Sequence, residues 1–277
     1  SLGPFLDTLL DDDTPASRVV EGDRPKPAAF LEPDFSWIDR SDYSSMGVQF
    51  SRGCPHDCEF CDITVRFGRA MRTKAVACFL AEFDRLYDLG WRGPVFIIDD
   101  NFIGRPKDAA ALLDGLVVWQ KERGYPFELF TQATVLLADP RNEDLLKAFY
   151  PAGFSMVFLG IETPNEASLA ETGKGHNLRG ETTLAEKIRR IQEVGRVMVM
   201  GGFIVGFDND GADIFERQER FITDETSLPV AMVGILEPLP QTKLEQRLRD
   251  EGRLLRESRG TVSGRSDVIF EPHHLSA

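Results

Sequence analysis

A chain of 277 residues with 42% hydrophobic content is long enough to bury one large core, either as a single α/β domain or as two small ones. Its net charge of −13 excludes general nucleic-acid binding by phosphate attraction, which needs a basic surface. No apolar run approaches the roughly 18 residues of a transmembrane segment.

Residues 1–42 carry Asp11-Asp12-Asp13 and then Pro15, Pro25, Pro27 and Pro33, which break any long helix or central strand. They read as an extended linker, anchored by Phe30, Phe35 and Trp37, and are expected to follow another domain. From residue 43 a regular alternation begins. Strands are predicted at 46–50, 94–99, 128–133, 155–161, 197–205 and 230–236, and helices at 74–89, 106–123, 142–150, 183–194, 212–225 and 242–250. Six strand–helix units in succession, with strands that are continuous apolar runs, predict parallel strands with helices outside. Six units fall short of the eight of a closed barrel, so the expected fold is α/β, a partial (β/α)6 barrel spanning 43–255. Residues 256–277 show no clear period and are read as the start of a C-terminal extension.

The first strand leads into Cys54-Pro-His-Asp-Cys58-Glu-Phe-Cys61, three of the chain's four cysteines within eight residues. Thiolates are soft ligands that suit iron–sulfur clusters and zinc. A 4Fe–4S cluster needs a ligand on each of four irons, and this loop supplies three, leaving one iron open. Two competing readings are a zinc-stabilised module, although the second Cys-x-x-Cys knuckle is missing, and an iron–sulfur electron carrier, although carriers close all four irons with thiolates. Cys78 falls within a helical apolar pattern and is expected to be a buried small residue. Unpaired thiols and a start that lacks the layout of a signal peptide favour a reducing, cytoplasmic setting.

Ligands of parallel α/β sheets lie beyond the C-terminal strand ends. Polar residues and glycines gather there: Asp99-Asp100-Asn101, Thr131-Gln132, Gly160-Ile-Glu162-Thr163, Gly201-Gly202-Phe-Ile204-Val-Gly206 and Glu237-Pro238. Helix capping accounts for any one of these, but poorly for all of them on the cysteine rim. The loop 171–180 reads equally as a substrate-gating loop or a solvated connector. Arg66, Arg69, Arg72 and Lys74 could meet a carboxylate or offset the acidic surface.

Cys54-x-x-x-Cys58-x-x-Cys61 with Phe60 before the third cysteine resembles the cluster loop of the radical S-adenosylmethionine (SAM) enzymes. The longer strings Ser51-Arg-Gly-Cys-Pro55, Ile98-Asp-Asp-Asn-Phe-Ile-Gly104, Gly160-Ile-Glu-Thr-Pro164 and Gly202-Phe-Ile-Val-Gly-Phe-Asp-Asn-Asp210 are similar to its cobalamin-dependent branch, the hopanoid C-2 methylase-like proteins. The resemblance implies a 4Fe–4S cluster on Cys54, Cys58 and Cys61, with SAM chelating the open iron. It places the backbone of Phe60 against adenine, Asp99, Asp100 and Asn101 at the methionine amine, and Glu162 at ribose or methionine. Gln132 would line the same cavity, Gly202, Ile204 and Gly206 would let adenine approach strand five, and Leu236 and Pro238 would close the adenine side. The implied activity is reductive cleavage of SAM to a 5′-deoxyadenosyl radical and methylation of an unactivated carbon on a small or lipid-like substrate. Cobalamin would be held by a domain not in this chain, and flavodoxin or ferredoxin would donate the electron. A cobalamin-independent radical rearrangement or oxidation is the alternative. One departure from the pattern is Leu239-Pro-Gln241-Thr242, where many relatives carry glycine at the third place.

Overall fold

The structure, a computed structural model, describes residues 33–258 and 268–275. Six parallel strands, β1 (Met46–Val48), β4 (Pro94–Ile97), β5 (Glu128–Ala133), β6 (Phe154–Glu162), β7 (Met198–Val205) and β8 (Val230–Ile235), pair in sequential order. Each neighbour pair is parallel, so every connection crosses over through a helix or turn on one side. The result is the open partial barrel that the alternation of periods predicted. A two-stranded antiparallel ribbon, β2 (Ser51–Arg52) with β3 (Arg72–Thr73), encloses the cysteine loop and the short helix α1 (Ile63–Arg66); strands this short leave no periodic signal.

The helices follow their predicted positions, and their stripes explain why. In α2 (Val76–Asp88) Phe79, Phe83 and Leu86 share one buried face, and in α3 (Pro106–Glu122) Leu112, Leu113, Leu116 and Trp119 do. Proline at N1 starts α3, where its missing N–H costs nothing. Then come α4 (Glu143–Ala148), α5 (Glu166–Glu171), which the sequence reading missed, and α6 (Leu184–Gly195), whose Thr183 and Glu186 form a reciprocal capping box. α7 (Ile214–Arg220) runs on into a wide turn at Phe221–Glu225, and α8 (Lys243–Asp250) ends the series. No helix among the described residues is long and apolar enough to cross a membrane.

The two faces of the sheet differ. Val95, Ile97, Leu129, Val157, Leu159 and Val199 face the helices and are fully buried. The alternate residues Phe96, Phe130, Met156, Phe158 and Met200 face the barrel interior and stay partly exposed, and Met198 is exposed. Continuous apolar runs therefore led the sequence reading to the right sheet. Cys78 is exposed, because it sits off the Phe79–Phe83–Leu86 stripe of α2. The expected linker lies mainly outside the described residues; of its described part, Phe35 is buried whereas Trp37 is exposed. In the C-terminal extension Phe270 bridges to Leu254 and packs with Phe207, Leu236, Leu244 and Leu248 in a second apolar cluster.

Candidate functional site

The cysteine loop has no regular structure of its own, so long-range bonds must hold it. From below, the buried Asp99 carboxylate accepts from Phe50 N (2.8 Å), Ser51 N (2.9 Å) and Ser51 Oγ (2.6 Å), tying the end of β1 to the end of β4. Asp100 accepts from Gly53 N at 3.0 Å. Gly53 has φ +97°, and a Cβ there would lie 2.9 Å from Gly68 O, so only glycine fits. From above, Glu59 N donates to Thr172 O at 2.8 Å, in the loop after α5. From the side, Arg247 of α8 forks onto Glu59 at 2.6 and 3.2 Å and reaches Asp208 at 2.7 Å.

Held this way, Cys54, Cys58 and Cys61 line one wall of a cavity of about 540 Å³ at the C-terminal strand ends, with Phe60, Asp100, Asn101, Gln132, Glu162, Gly202 and Ile204 around it. The structure thus brings together ten of the fourteen residues expected there. None of the four thiols is in a disulfide. Asn101 Nδ2 donates toward Cys54 Sγ at 3.8 Å. Burial pushes the Cys61 thiol up to about 12 and raises Cys58, so both hold their protons until something compensates the lost hydration.

Four expected residues lie off the cavity. Asp99 does not line it: along β4 it follows Val95 and Ile97 at period two, on the helix-facing side, and its carboxylate is spent on the loop. Burial raises its pKa to about 6, against the opposing pull of those hydrogen bonds. Gly206, Leu236 and Pro238 do not line the cavity either. Leu236 is buried in the second apolar cluster, against which Phe60 and Ile204 pack, and Gly206 N donates to Asp210 at 3.1 Å.

Among the lining residues that sequence reasoning did not name as site residues are three with polar side chains aimed at the chemistry, Thr134, Lys174 and His176. The loop 171–180 is not a solvated connector, because Lys174, His176 and Asn177 are buried in it. Asn177 Nδ2 donates to the carbonyls of Gly160 and Ile161, and Lys187 Nζ donates to Asn177 O at 2.7 Å, which pins the loop to β6. Lys174 Nζ meets Glu162 Oε1 at 2.6 Å. Burial acts to lower the lysine's pKa, but the Glu162 carboxylate outweighs it and the net shift is upward. Glu162 itself stands at φ +68°, beside an irregularity in the β6–β7 register that turns its side chain into the cavity. The His176 ring stacks on His56 of the cysteine loop, centroids 3.7 Å apart. Burial, reinforced by Lys174, pushes His176 down to about 2 and His56 to about 4, so both rings are neutral. The usable signal was Glu162: a carboxylate ending an apolar strand calls for a buried counter-charge nearby. Arg66, Arg69, Arg72 and Lys74 do not line the cavity; Arg69 bonds Pro55 O and Lys74 pairs with Glu82.

Asn101 Oδ1, Thr134 Oγ1 and His176 Nε2 are buried without a hydrogen-bond partner, and all three residues line this cavity. Buried polar atoms are nearly always paired, so these three are free to bond a ligand with polar groups of its own. Among the described residues, no three His, Cys, Asp or Glu side chains converge on a point that could hold one metal ion.

Strand order, the loop on the C-terminal rim and a polar cavity above glycine-ended strands define an enzyme of the α/β partial-barrel class. The profile of the Radical SAM superfamily matches residues 48–222, and the chain belongs to that superfamily. It is 42% identical over 268 residues to an uncharacterized methyltransferase of Synechocystis sp., covering 97% of this chain and 49% of that protein. It is 37% identical over 261 residues to the hopanoid C-2 methylase of Rhodopseudomonas palustris, covering 92% and 48%. The chain therefore spans about half the length of these curated relatives. Among solved structures, the radical SAM methyltransferase TsrM from Kitasatospora setae, with cobalamin and a 4Fe–4S cluster bound, superposes with a TM-score of 0.67 at 17% identity. That match covers 88% of this chain and 45% of TsrM, and shows the shared fold.

Proposed function

We propose that this chain is the catalytic module of a radical SAM methyltransferase acting on an unactivated carbon of a small or lipid-like substrate, with cobalamin as methyl carrier. Cys54, Cys58 and Cys61 would hold a 4Fe–4S cluster. When bound, cluster and SAM would supply one-electron cleavage of a C–S bond and a 5′-deoxyadenosyl radical able to abstract hydrogen. The names of the two relatives support the methyl-transfer reading, and cobalamin in TsrM supports the carrier. An electron donor such as flavodoxin or ferredoxin in a reducing cytoplasm would complete the system.

The chain's own residues bind, orient and exclude water. Asp100 and the unpartnered Asn101 Oδ1 stand beside Cys54, where acceptors suit an ammonium group. Glu162, held by Lys174, offers its second oxygen to hydroxyl groups. Gly160 and Gly202, paired across β6 and β7, let Glu162 and Phe158 pack close over the sheet: a Cβ on Gly160 would lie 2.6 Å from Glu162 Oε1, and one on Gly202 2.6 Å from Phe158. Phe60 and Ile204, backed by Leu236, form an apolar wall for a flat ring.

The observation that carries this reading is the meeting of three free thiols and three unpartnered polar atoms in one cavity. Anaerobic reconstitution is expected to give about four irons per chain, as a 4Fe–4S cluster requires. Dithionite and SAM should then release 5′-deoxyadenosine, and Cys→Ser at 54, 58 or 61 should abolish that release. Zinc in place of iron, or a cluster that leaves SAM intact, would defeat the proposal.

A further inference from the structure

The loop 171–180 is seated on the cysteine loop by three successive contacts. Thr172, itself buried, accepts from Glu59 N at 2.8 Å. Gly173 stands at φ +71°, and a Cβ there would lie 3.1 Å from Asp57 O and 3.8 Å from Cys58 Cα. The neutral ring of His176 stacks on that of His56. Asn177 then fastens the far end to the carbonyls of Gly160 and Ile161, so the loop is a strap tied at both ends. Between Gly173 and His176 the strap carries Lys174. Its Nζ meets Glu162 Oε1, and a Cβ on Gly160 would lie 2.9 Å from that nitrogen. Of the described residues lining the cavity, Lys174 is the sole cation, set among the carboxylates of Asp100 and Glu162 and the thiols of Cys54, Cys58 and Cys61. Its field reaches the sulfurs: burial raises the Cys58 and Cys61 thiols, and the ammonium acts against that rise at both.

Resting on the function proposed above, we infer that the strap sets how readily the site accepts an electron, with the Lys174 ammonium as the fixed counter-charge. Cys54, Cys58 and Cys61 would bring three thiolates to a wall that already holds the buried Glu162. Reduction of a 4Fe–4S group there adds one more negative charge, drawn from an external one-electron donor. Lys174 exchanges neither proton nor electron; it acts through its field alone. A buried positive charge favours the more negative of two states, because the interior screens it far less than water does. Net charge, burial and hydrogen bonds to sulfur are the levers that set cluster potentials. Glu162 works in the opposite sense, since it holds the ammonium in place while offsetting part of its field. The positive charge is delivered by backbone seated on Asp57 and Cys58, so it keeps its position relative to the thiols.

The test is the midpoint potential of the reconstituted chain, titrated with dithionite without SAM and followed by electron paramagnetic resonance. Lys174→Met should shift the equilibrium at least tenfold toward the oxidised form, about 59 mV for a one-electron couple. Glu162→Gln should shift it at least threefold the other way. Lys174→Arg, which keeps the charge, should stay within threefold of wild type, as should the double variant Lys174→Met with Glu162→Gln. Opposite signs from the two halves of one ion pair lie beyond a purely structural role, which would lower the iron content of both. If Lys174→Met folds but holds no iron, the sign of the Glu162→Gln shift decides. In the chain without iron, Gly173→Val should speed labelling of Cys58 by N-ethylmaleimide at least threefold and leave the exposed Cys78 unchanged. Equal potentials across the variants, shifts of one sign in both single variants, or unchanged Cys58 labelling in folded Gly173→Val overturns the inference. A wild-type chain that takes up no iron instead defeats the function on which it rests, and the inference with it.

Discussion

Asp99→Ala should destabilise the fold and the cysteine loop together. The carboxylate is inaccessible to solvent and accepts two backbone amides and one hydroxyl. Ser51 Oγ can rotate to a new partner, but the amides of Phe50 and Ser51 cannot. Each buried amide left unpaired costs about 1–3 kcal/mol, so the expected loss is about 2–6 kcal/mol, a large share of a typical 5–15 kcal/mol. Asp99→Asn keeps one oxygen for both amides and should lose on the order of 1 kcal/mol. The pH dependence has a defined sign. With the folded pKa raised from 3.8 to about 6, the proton binds the folded state more tightly. This group's contribution is complete below about pH 3.8 and is lost as pH rises through about 6. Wild type minus Asp99→Asn should therefore narrow across that window, measured by urea unfolding at pH 4.5 and 7.5. The iron bound on reconstitution should fall with stability in Asp99→Ala, since the amides it releases lie three and four residues before Cys54. An alanine variant within about 0.5 kcal/mol of wild type would refute the idea that Asp99 holds the loop.

Lys174→Met leaves Glu162 buried and uncompensated, and should cost about 3–5 kcal/mol by chemical unfolding; adding Glu162→Gln should recover part of it, a coupling visible in a double-mutant cycle. Gln241 occupies φ +66°, so Gln241→Val should lower stability by about 1–2 kcal/mol whereas Gln241→Gly is tolerated, as thermal melts would show. Glu171 is pushed up to about 7 by burial, against the hydrogen bond from Asp208 N; its contribution is present below about pH 4.5 and lost as pH rises through about 7. Glu171→Gln should flatten the unfolding free energy across that interval, and an unchanged slope would show that this carboxyl does not titrate there.

The barrel was legible because its strands and helices announce themselves by period: apolar runs at 94–97 and 154–162, and stripes such as Phe79, Phe83 and Leu86. The cysteine spacing pointed to one loop and the strand-end rule to Asp100, Asn101, Gln132 and Glu162, and the structure brings them to a single cavity. The error at Asp99 was avoidable, since period two places it with Val95 and Ile97 and sends Asp100 toward the interior with Phe96 and Ile98. His176 was not legible, and Lys174 only through the counter-charge that Glu162 requires, because an irregular loop has no period from which to read burial. Its fold is set by contacts to β6 and to the cysteine loop, which are remote in sequence. The Gln241 departure also needed the structure: the turn keeps a left-handed conformation without glycine, helped by the bond from Gln241 N to Glu245 and the Thr242 cap of α8.

The same limit bears on the interior of the barrel. Alternation along a strand shows that two faces exist, and apolar residues on both imply that both are meant to be covered. It does not show what covers each. On the outer face the answer is protein, as the buried Val95, Ile97, Leu129 and Val157 show. On the inner face Phe96, Phe130, Met156 and Met200 stay partly exposed among the described residues, and their columns rise toward the paired glycines Gly160 and Gly202 beside the cavity. Glycine at the top of both central columns costs stability, because it buries nothing and loses more backbone entropy than any other residue. At Gly160 and Gly202 the protein itself sets the limit: an added Cβ would lie 2.6 Å from Glu162 Oε1 in the one and 2.6 Å from Phe158 in the other, so the two glycines are what lets these side chains fold over the central strands and form the cavity wall.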